Sequence, residues 1–514
     1  MIIEESRYRI YEDDAYRILI SGVLIGTEEN YFRIAREIEN GTLDFNGVEG
    51  WYKILVQCKQ SDTWYFWGDN QGSQNFFFDE HTAEISDSFL KLLEKRNERI
   101  PNYVAVAETI RGGTVFGEDT VVLGIKKTDY PCFYVYDGKT VVSHSKMLQS
   151  FFEPDKRDLD DVFTPLLSTI KAQNLTVGAV CTGGIDSRLV LACLKHYGIL
   201  PPLFITGHAG NPDVPIAKEV AQALGADLTV IDPTTYPPEW IETGFAFLDG
   251  MYDAVLGYRH YVRSQWNIEH HIDVEFGGMG GEFFKNTMYH RAKRIGVKRY
   301  TTNMRACSAP WCGKKVEEAA AGASKKRLAR LEEMDTTDNF LQKSNFMAYD
   351  LDVWESNRFT NAISKVSHCI DPLMDRKLIA AISVENPRTL EMQAWHRKQI
   401  KKHCPELCNI VTADGRTCSP DTRDIFCEKV LGDIREVRRL SHRLLEKMHL
   451  TKKSVSPQYW NIDYLTARQD PIWEYAVNTC KSLGIVAPEI DSDSIPLDMT
   501  GFLIQLGLIF KKRP

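Results

Sequence analysis

The chain has 514 residues, 43% hydrophobic and 26% charged, with a formal net charge of -8. That length fits about two to four domains, and the acidic balance argues against nucleic acid as a partner. No apolar run approaches the ~18 residues of a membrane span, and Met1-Ile2-Ile3-Glu4-Glu5 does not open as a signal peptide does. Twelve cysteines without a dense pairing pattern suit a reducing compartment, so the expected location is the cytoplasm. Cys307 with Cys312, and Cys404 with Cys408, are close pairs that lack the Cys-x-x-Cys spacing of a zinc unit.

The first 150 residues read as short strands. Tyr16–Ile20, Trp51–Val56, Trp64–Trp67 and Asn75–Phe78 are rich in aromatic and β-branched residues. Asp69-Asn70-Gln71-Gly72 forms a turn between two of them. Ser86 to Leu93 opens a helix with a Ser or Asp cap. Gly112-Gly113, Gly117 to Thr120 and Tyr136-Asp137-Gly138 are expected to punctuate further strands.

A helix over Asp158–Ile170 leads into the most informative stretch, Val177-Gly178-Ala179-Val180-Cys181-Thr182-Gly183-Gly184-Ile185-Asp186-Ser187-Arg188. It predicts strand, glycine turn and helix. Gly183 and Gly184 let backbone approach a phosphate, and the turn amides with the helix N-terminus form an anion site. Thr182 and Ser187 add hydroxyl donors. Asp186 stands where a carboxylate holds a divalent cation against that phosphate. Neither Walker nor dinucleotide spacing is present. The strand Pro201–Gly207, the helix Ile216–Leu224 closed by Gly225 and the strand Asp227–Ile231 follow. This alternation predicts a mostly parallel, doubly wound sheet, whose ligands gather at the strand C-termini.

A second cluster, Val274-Glu275-Phe276-Gly277-Gly278-Met279-Gly280-Gly281-Glu282-Phe283-Phe284-Lys285, repeats strand, turn, helix. From Lys285 to Arg330 there are thirteen Lys or Arg and only Glu317 and Glu318 as acids. The excess reads either as a solvated helical surface or as a field steering an acidic substrate. Ala319–Ser324 reads as a flexible joint. The remainder is chiefly helical, including Phe346 to Ile363 and a basic amphipathic helix over Arg435–Lys447. Leu508-Ile509-Phe510 reads as a strand or tail.

The Thr-Gly-Gly-Ile-Asp-Ser turn resembles the Ser-Gly-Gly-x-Asp-Ser loop of ATP-pyrophosphate ligases, with Thr182 keeping the hydroxyl. Together with the Gly278–Glu282 cluster, which is similar to a Gly-Glu-Gly-Ala-Asp-Glu-Leu-Phe segment, it resembles the asparagine-synthetase (class B) family. Within that family the chain is nearest in logic to β-lactam synthetases and lasso-peptide cyclases. The implied fold class is α/β: an N-terminal Ntn-hydrolase-like antiparallel β sandwich over 1–150, and an adenine nucleotide alpha hydrolase-like doubly wound sheet with extra helices over 151–514. Gly22–Tyr31, Asp69–Phe78 and Gly117–Gly124 resemble segments of the family's glutaminase domain. That domain uses an N-terminal cysteine as nucleophile. Here Ile2 follows Met1 and the first cysteine is Cys58, so the domain reads as a degenerate scaffold.

The resemblance implies ATP and Mg2+ as cofactors. Thr182, Gly183, Gly184, Asp186, Ser187, Arg188, Gly207, Gly278 and Gly280 would line the nucleotide site. Asp213 would lie there too, or else serve as a plain turn residue. Asp186 and Glu282 would hold the metal. Asp371-Pro372-Leu373-Met374-Asp375 stands for the family's Pro-Phe-Leu-Asp motif. Ahead of it, Glu355 and Tyr349 fall near a Glu–Tyr dyad that deprotonates the attacking amine in ring-forming relatives. The family's late lysine is missing from Thr412–Thr417, where Arg416 keeps the charge in a planar fork. The implied activity is adenylation of a carboxylate and amide formation with an amine, on a small-molecule or peptide substrate carrying both groups. A homodimer or a pathway protein is the further partner to expect. Two rivals stand beside it. One is adenylation of an amide or carbonyl to give an amidine, nitrile or heterocycle. The other is a nucleotide-binding accessory protein with decayed catalysis.

Overall fold

The computed structural model describes residues 1–208, 210–296, 310–413, 415–421, 423–425, 430 and 461–511, the side chains of 354–357 excepted. Cys307 and the expected helix 435–447 therefore lie outside the described residues.

Two antiparallel sheets occupy the first 145 residues. The larger comprises β1 (Arg9–Glu12), β2 (Tyr16–Leu24), β3 (Gly50–Cys58), β4 (Thr63–Gly68), β8 (Cys132–Tyr136) and β9 (Val141–Ser145), adjacent in that order. The smaller has β5 (Phe77–Asp79) between β6 (Ile85–Ser86) and β7 (Ile125–Lys127). Side chains alternate faces along a strand. In β2 and β3 the register pairs Ile18 with Val56, Leu19 with Leu55 and Ile20 with Ile54. Ile18, Ile20, Ile54 and Val56 pack under the helix Glu28–Glu39 through Tyr31, Ile34, Ala35 and Ile38. Leu19 and Leu55 point the other way, onto Phe76, Phe78 and Ile85 at the smaller sheet. Both faces are buried, which explains why β2 and β3 read as continuous apolar runs.

The parallel sheet contains β10 (Val177–Val180), β11 (Leu203–Thr206), β12 (Leu228–Ile231), β13 (Val274–Phe276) and β14 (His368–Ile370), in the order β12-β11-β10-β13-β14. Every pair is parallel. The order runs outward from β10 to β12, then returns to add β13 and β14 on the other side. The β10/β13 boundary is therefore a topological switch point, where open α/β sheets place their ligand crevice. Both glycine turns emerge there.

Three local expectations fail. Gly112-Gly113 closes a helix, Tyr103–Gly112, rather than separating strands, with Gly113 at φ 74 as its left-handed cap. Ala319–Ser324 is no joint: it lies inside one helix, Lys314–Arg330, as its run of strong helix formers favours. Leu508–Phe510 belongs to the buried helix Thr500–Ile509 and its cap, which a run apolar on every side had disguised. Two starts also shift. The expected strand at Asn75 begins only at Phe77, because the backbone N–H groups before it go to side chains: Asn75 N donates to Asn361 Oδ1 (3.1 Å) and Phe76 N to Thr128 Oγ1 (3.1 Å). The helix expected from Ser86 begins at Phe89, with the Ser88 hydroxyl accepting from Lys91 N.

Charge pairs join the antiparallel sheets to the rest of the chain. From the helix Lys314–Arg330, Lys326 reaches Glu108 (3.1 Å) and Asp119 (2.6 Å), and Arg330 reaches Asp129 (2.7 Å) and Asp350 (3.0 Å). Arg327 pairs with Asp350. These members of the basic excess are structural clamps. Lower down, Asp375 caps the helix Arg376–Ile382 and pairs with Arg157 (2.9 Å), while Lys377 pairs with Glu49 (2.6 Å).

Candidate active site

The first turn is shaped by its own hydroxyls. Thr182 Oγ1 and Ser187 Oγ lie 2.8 Å apart, Gly184 N donates to Thr182 Oγ1 (3.2 Å) and Thr182 N to Ser187 Oγ (3.2 Å). These bonds close the loop onto the first turn of the helix Ile185–His196, whose N-cap, Gly184, has no side chain to occupy the amides. Glycine is needed at Gly183 because a Cβ there would lie 2.6 Å from Asp213 Oδ1 and 3.2 Å from Ala413 Cβ. Asp213 thus sits against the turn, at the start of the helix Asp213–Leu224, with burial raising its carboxyl pKa. Gly207 follows β11, donating to Ile231 O (2.8 Å), and makes room for the Asn211 amide.

The second turn leaves β13 and leans on the first. A Cβ at Gly278 would lie 2.6 Å from Ser187 N, and one at Gly281 would overlap the Asp186 carboxylate. Gly280, at φ +88, passes Leu373 O so closely that a Cβ would lie at 2.5 Å. Asp371 supports the turn from below, accepting from Met279 N (2.9 Å). Its burial raises its pKa. The short 3-10 helix Gly281–Phe284 then carries Glu282, about half exposed on its side chain. Where the resembled segment has a second acid, this chain has the buried Phe283.

Asp186 and Glu282 do meet at one place, but around a lysine. Lys285 Nζ donates to Asp186 Oδ2 at 2.6 Å and to Glu282 Oε1 at 3.2 Å. From the helix Ala394–His403, the fully buried His396 brings Nε2 to 2.9 Å from Asp186 Oδ1, at an angle that makes no hydrogen bond. Burial raises the Asp186 pKa, but contact with His396 and the Lys285 ammonium outweigh it, leaving the carboxyl below its ordinary range. Burial lowers the His396 imidazole's pKa by more than the Asp186 carboxylate raises it. Burial disfavours the charge on Lys285, yet the two carboxylates prevail and raise its pKa. Asp186 Oδ1 and both His396 nitrogens are buried without hydrogen-bond partners. Buried polar atoms are seldom left so. Two hard carboxylates and an orphaned Oδ1 fit a magnesium ion that shares its shell with phosphate and water. Among the described residues, no group of three or more His, Cys, Asp or Glu is placed to hold a metal by protein ligands alone.

Arg188 is not at the phosphate position. Its guanidinium is buried and donates to the carbonyls of Ile410 and Val411 and to Cys418 Sγ (3.1 Å). Arg397, equally buried, donates to Met392 O (2.8 Å) and Ser419 O (2.8 Å). Two guanidiniums thus hold Ile410, Val411, Cys418 and Ser419, members of a strap whose Ala413 N donates to Gly183 O (3.1 Å) over the first turn. Arg416 turns back within that strap, its N–H donating to Thr412 Oγ1 (3.2 Å) and its carbonyl accepting from Thr412 N (2.7 Å). Tyr349 is also displaced from its expected role. It is fully buried on the helix Phe340–Ile363, its hydroxyl donates to Asn70 O (3.3 Å), and burial holds its pKa well above the ordinary value. It joins the helix to the antiparallel half. Glu355 lies on the same helix, its side chain outside the described residues.

Lys285, His396 and Arg397 escaped the sequence reading. Lys285 had a signal, since it directly follows the glycine cluster. His396 and Arg397 had none, because they sit in an ordinary basic helix.

A five-stranded parallel sheet with two glycine turns at its switch point, beside antiparallel sheets, is an α/β architecture consistent with a synthetase-type nucleotide-binding fold. Residues 169–415, which contain both turns, β10 to β14 and most of the strap, match the family model described as asparagine synthase. No curated protein matches the chain. Among the described residues, no helix is long and apolar enough to cross a membrane.

Proposed function

We propose that the chain is an ATP- and magnesium-dependent synthetase that adenylates a substrate carboxylate, releases pyrophosphate, and forms an amide with a substrate amine, without hydrolysing glutamine. The observation that carries this reading is the convergence of two glycine turns on one carboxylate pair, with Asp186 on the first and Glu282 on the second. The match of 169–415 to the asparagine synthase model supports the reaction class.

A carboxylate is a poor electrophile, and joining it to AMP makes its carbonyl open to attack by an amine. The turn amides and the Thr182 and Ser187 hydroxyls would bind and orient the phosphates. Magnesium, held by Asp186 and Glu282, would neutralise charge as the pyrophosphate leaves. The strap anchored by Arg188 and Arg397 would cover the turn and exclude water, which otherwise hydrolyses an acyl-adenylate. Cys58, the first cysteine, is poorly placed as a nucleophile for glutamine hydrolysis: it is buried in β3, where burial and Glu39 push its thiol up to about 12. The segment 1–150 is accordingly read as a scaffold of the degenerate glutaminase kind, and 151–514 as the synthetase. The acceptor amine is read as part of the substrate, in the same or a second molecule, as in lactam synthetases and lasso-peptide cyclases.

One observation favours a second reading, an accessory protein that binds nucleotide without turning it over: an ammonium stands between the two carboxylates. Incubation with ATP, magnesium and pooled amino acids, small carboxylic acids and peptides, with and without glutamine, decides between them. Substrate-dependent AMP and pyrophosphate, indifferent to glutamine, is the expected result. ADP and phosphate would overturn adenylation. Tight ATP binding with no turnover in any pool would support the accessory reading.

A further inference from the structure

We infer that Lys285 is a phosphate-binding residue of this site: when phosphates and a divalent ion enter, its ammonium leaves the gap between Asp186 and Glu282 and holds the pyrophosphate group. The inference rests on the ligase reading above and deepens it, by naming the cation that stands in for the lysine missing from Thr412–Thr417.

Position is the first argument. Lys285 directly follows the 3-10 helix of the second turn, and its ammonium is within 3.2 Å of one carboxylate from each turn. Asp186 belongs to the first turn of the helix whose free amides form the anion site. The ammonium is therefore already at the edge of the place a pyrophosphate would occupy, on a side chain 13% exposed.

Charge is the second argument. Two carboxylates and one ammonium leave the cluster net negative, which repels a polyphosphate. A divalent ion between the carboxylates corrects this, but it cannot share the gap with the ammonium. A divalent ion and an ammonium at contact distance repel twice as strongly as two unit charges would. Phosphate oxygens are the strongest acceptors that would then lie within reach. A lysine head on its four-carbon stem moves by a few ångströms through rotamer changes alone, with no backbone motion.

His396 is the third and independent argument. It is fully buried, both ring nitrogens lack hydrogen-bond partners, and Nε2 lies 2.9 Å from Asp186 Oδ1. A second polar group 2.9 Å from a carboxylate that already has an ammonium partner is redundant only while Lys285 stays. Once the ammonium turns to phosphate, Asp186 still has the imidazole wall to fix its orientation. Arg188, the other cation expected here, is committed to the strap.

The rival is that Lys285 merely fills the gap between two carboxylates. The full chain, its Lys285→Met variant and its Lys285→Arg variant are titrated with inorganic pyrophosphate in excess magnesium by calorimetry. Manganese alone is titrated in parallel by electron paramagnetic resonance. The inference expects pyrophosphate affinity to fall about tenfold or more in Lys285→Met, worth ~1.4 kcal/mol, and to stay within about threefold in Lys285→Arg. Manganese should bind Lys285→Met more tightly than wild type, because the competing ammonium is gone. Unchanged or tighter pyrophosphate binding by Lys285→Met would overturn it. Should Lys285→Met fail to fold, Lys285→Gln carries the same expectation. A wild-type chain that binds neither magnesium pyrophosphate nor magnesium ATP would instead sink the ligase reading, and this inference with it.

Discussion

The two glycine turns look alike in sequence and do different work. At the first, Gly184 has only Thr182 Oγ1 near a would-be Cβ, at 3.3 Å. The backbone there is ordinary, at φ -80, so its freedom from side chain serves what comes to the turn from outside. At the second, Gly278 and Gly281 would drive a Cβ into the backbone of Ser187 and the carboxylate of Asp186. Those glycines exist so that one turn can lie against the other. Gly184 leaves the first turn open on one side, whereas Gly278 and Gly281 let the second turn lie against the first. A glycine motif therefore marks a site only after one asks what the missing side chain would have struck.

The largest test of this contrast is Gly278→Ala. Its methyl would meet backbone that cannot yield, so a loss of about 3 kcal/mol is expected, seen as a lower thermal unfolding midpoint. A midpoint within a degree of wild type would contradict the supporting role.

Acid should also weaken the strand that supports the second turn. His368 opens β14, whose Ile370 carbonyl accepts from Gly277 N (2.9 Å), and its own Nε2 accepts from Gly22 N (3.2 Å). Burial pushes its pKa down to about 3. An unfolded histidine titrates near ~6.5, so below that pH the unfolded chain binds the proton that the folded one refuses. The stability contributed by neutral His368 is whole above about pH 6.5. It is lost as pH falls, by up to ~1.4 kcal/mol per unit, until about 3. Urea unfolding of wild type and His368→Gln between pH 7 and 5 reads this directly. The variant should lose less on acidification, and parallel losses would remove His368 from the argument.

Gly184→Ala is the smaller counterpart of Gly278→Ala. The fold should be kept, with the midpoint nearly unchanged, while magnesium ATP binds about tenfold more weakly because the methyl intrudes on phosphate, a cost of ~1.4 kcal/mol. Full retention of ATP affinity would argue that phosphate does not lie against this turn. Tyr349→Phe should do least. It removes one 3.3 Å hydrogen bond to Asn70 O, costing about 1 kcal/mol, and should leave turnover within about twofold. A hundredfold fall in kcat would restore Tyr349 to the chemistry.

The sequence by itself determined the local units. Strand-turn-helix around Gly183 and again around Gly278, the Gly225 cap and the alternating faces of β2 follow from short-range rules of backbone freedom and side-chain period. Those rules act over a few residues, so they remain legible in one chain. They misled at the Gly112-Gly113 pair, at the apolar final helix and at the alanine-rich stretch of Lys314–Arg330. Which side chains meet was decided by tertiary structure. Arg188 follows the first turn directly, yet it turns to Ile410 and Val411 because a buried guanidinium needs several acceptors and the strap's carbonyls supply them. Tyr349 finds its partner at Asn70, across the junction with the antiparallel sheets. Lys285 and His396 gain significance only because β13 lies beside β10 and the helix Ala394–His403 packs on the helix Ile185–His196. Asp186 was visible as a single acid in a turn. Its environment of one ammonium, one buried imidazole and a second carboxylate is made by elements far apart in the chain, and only packing brings them together.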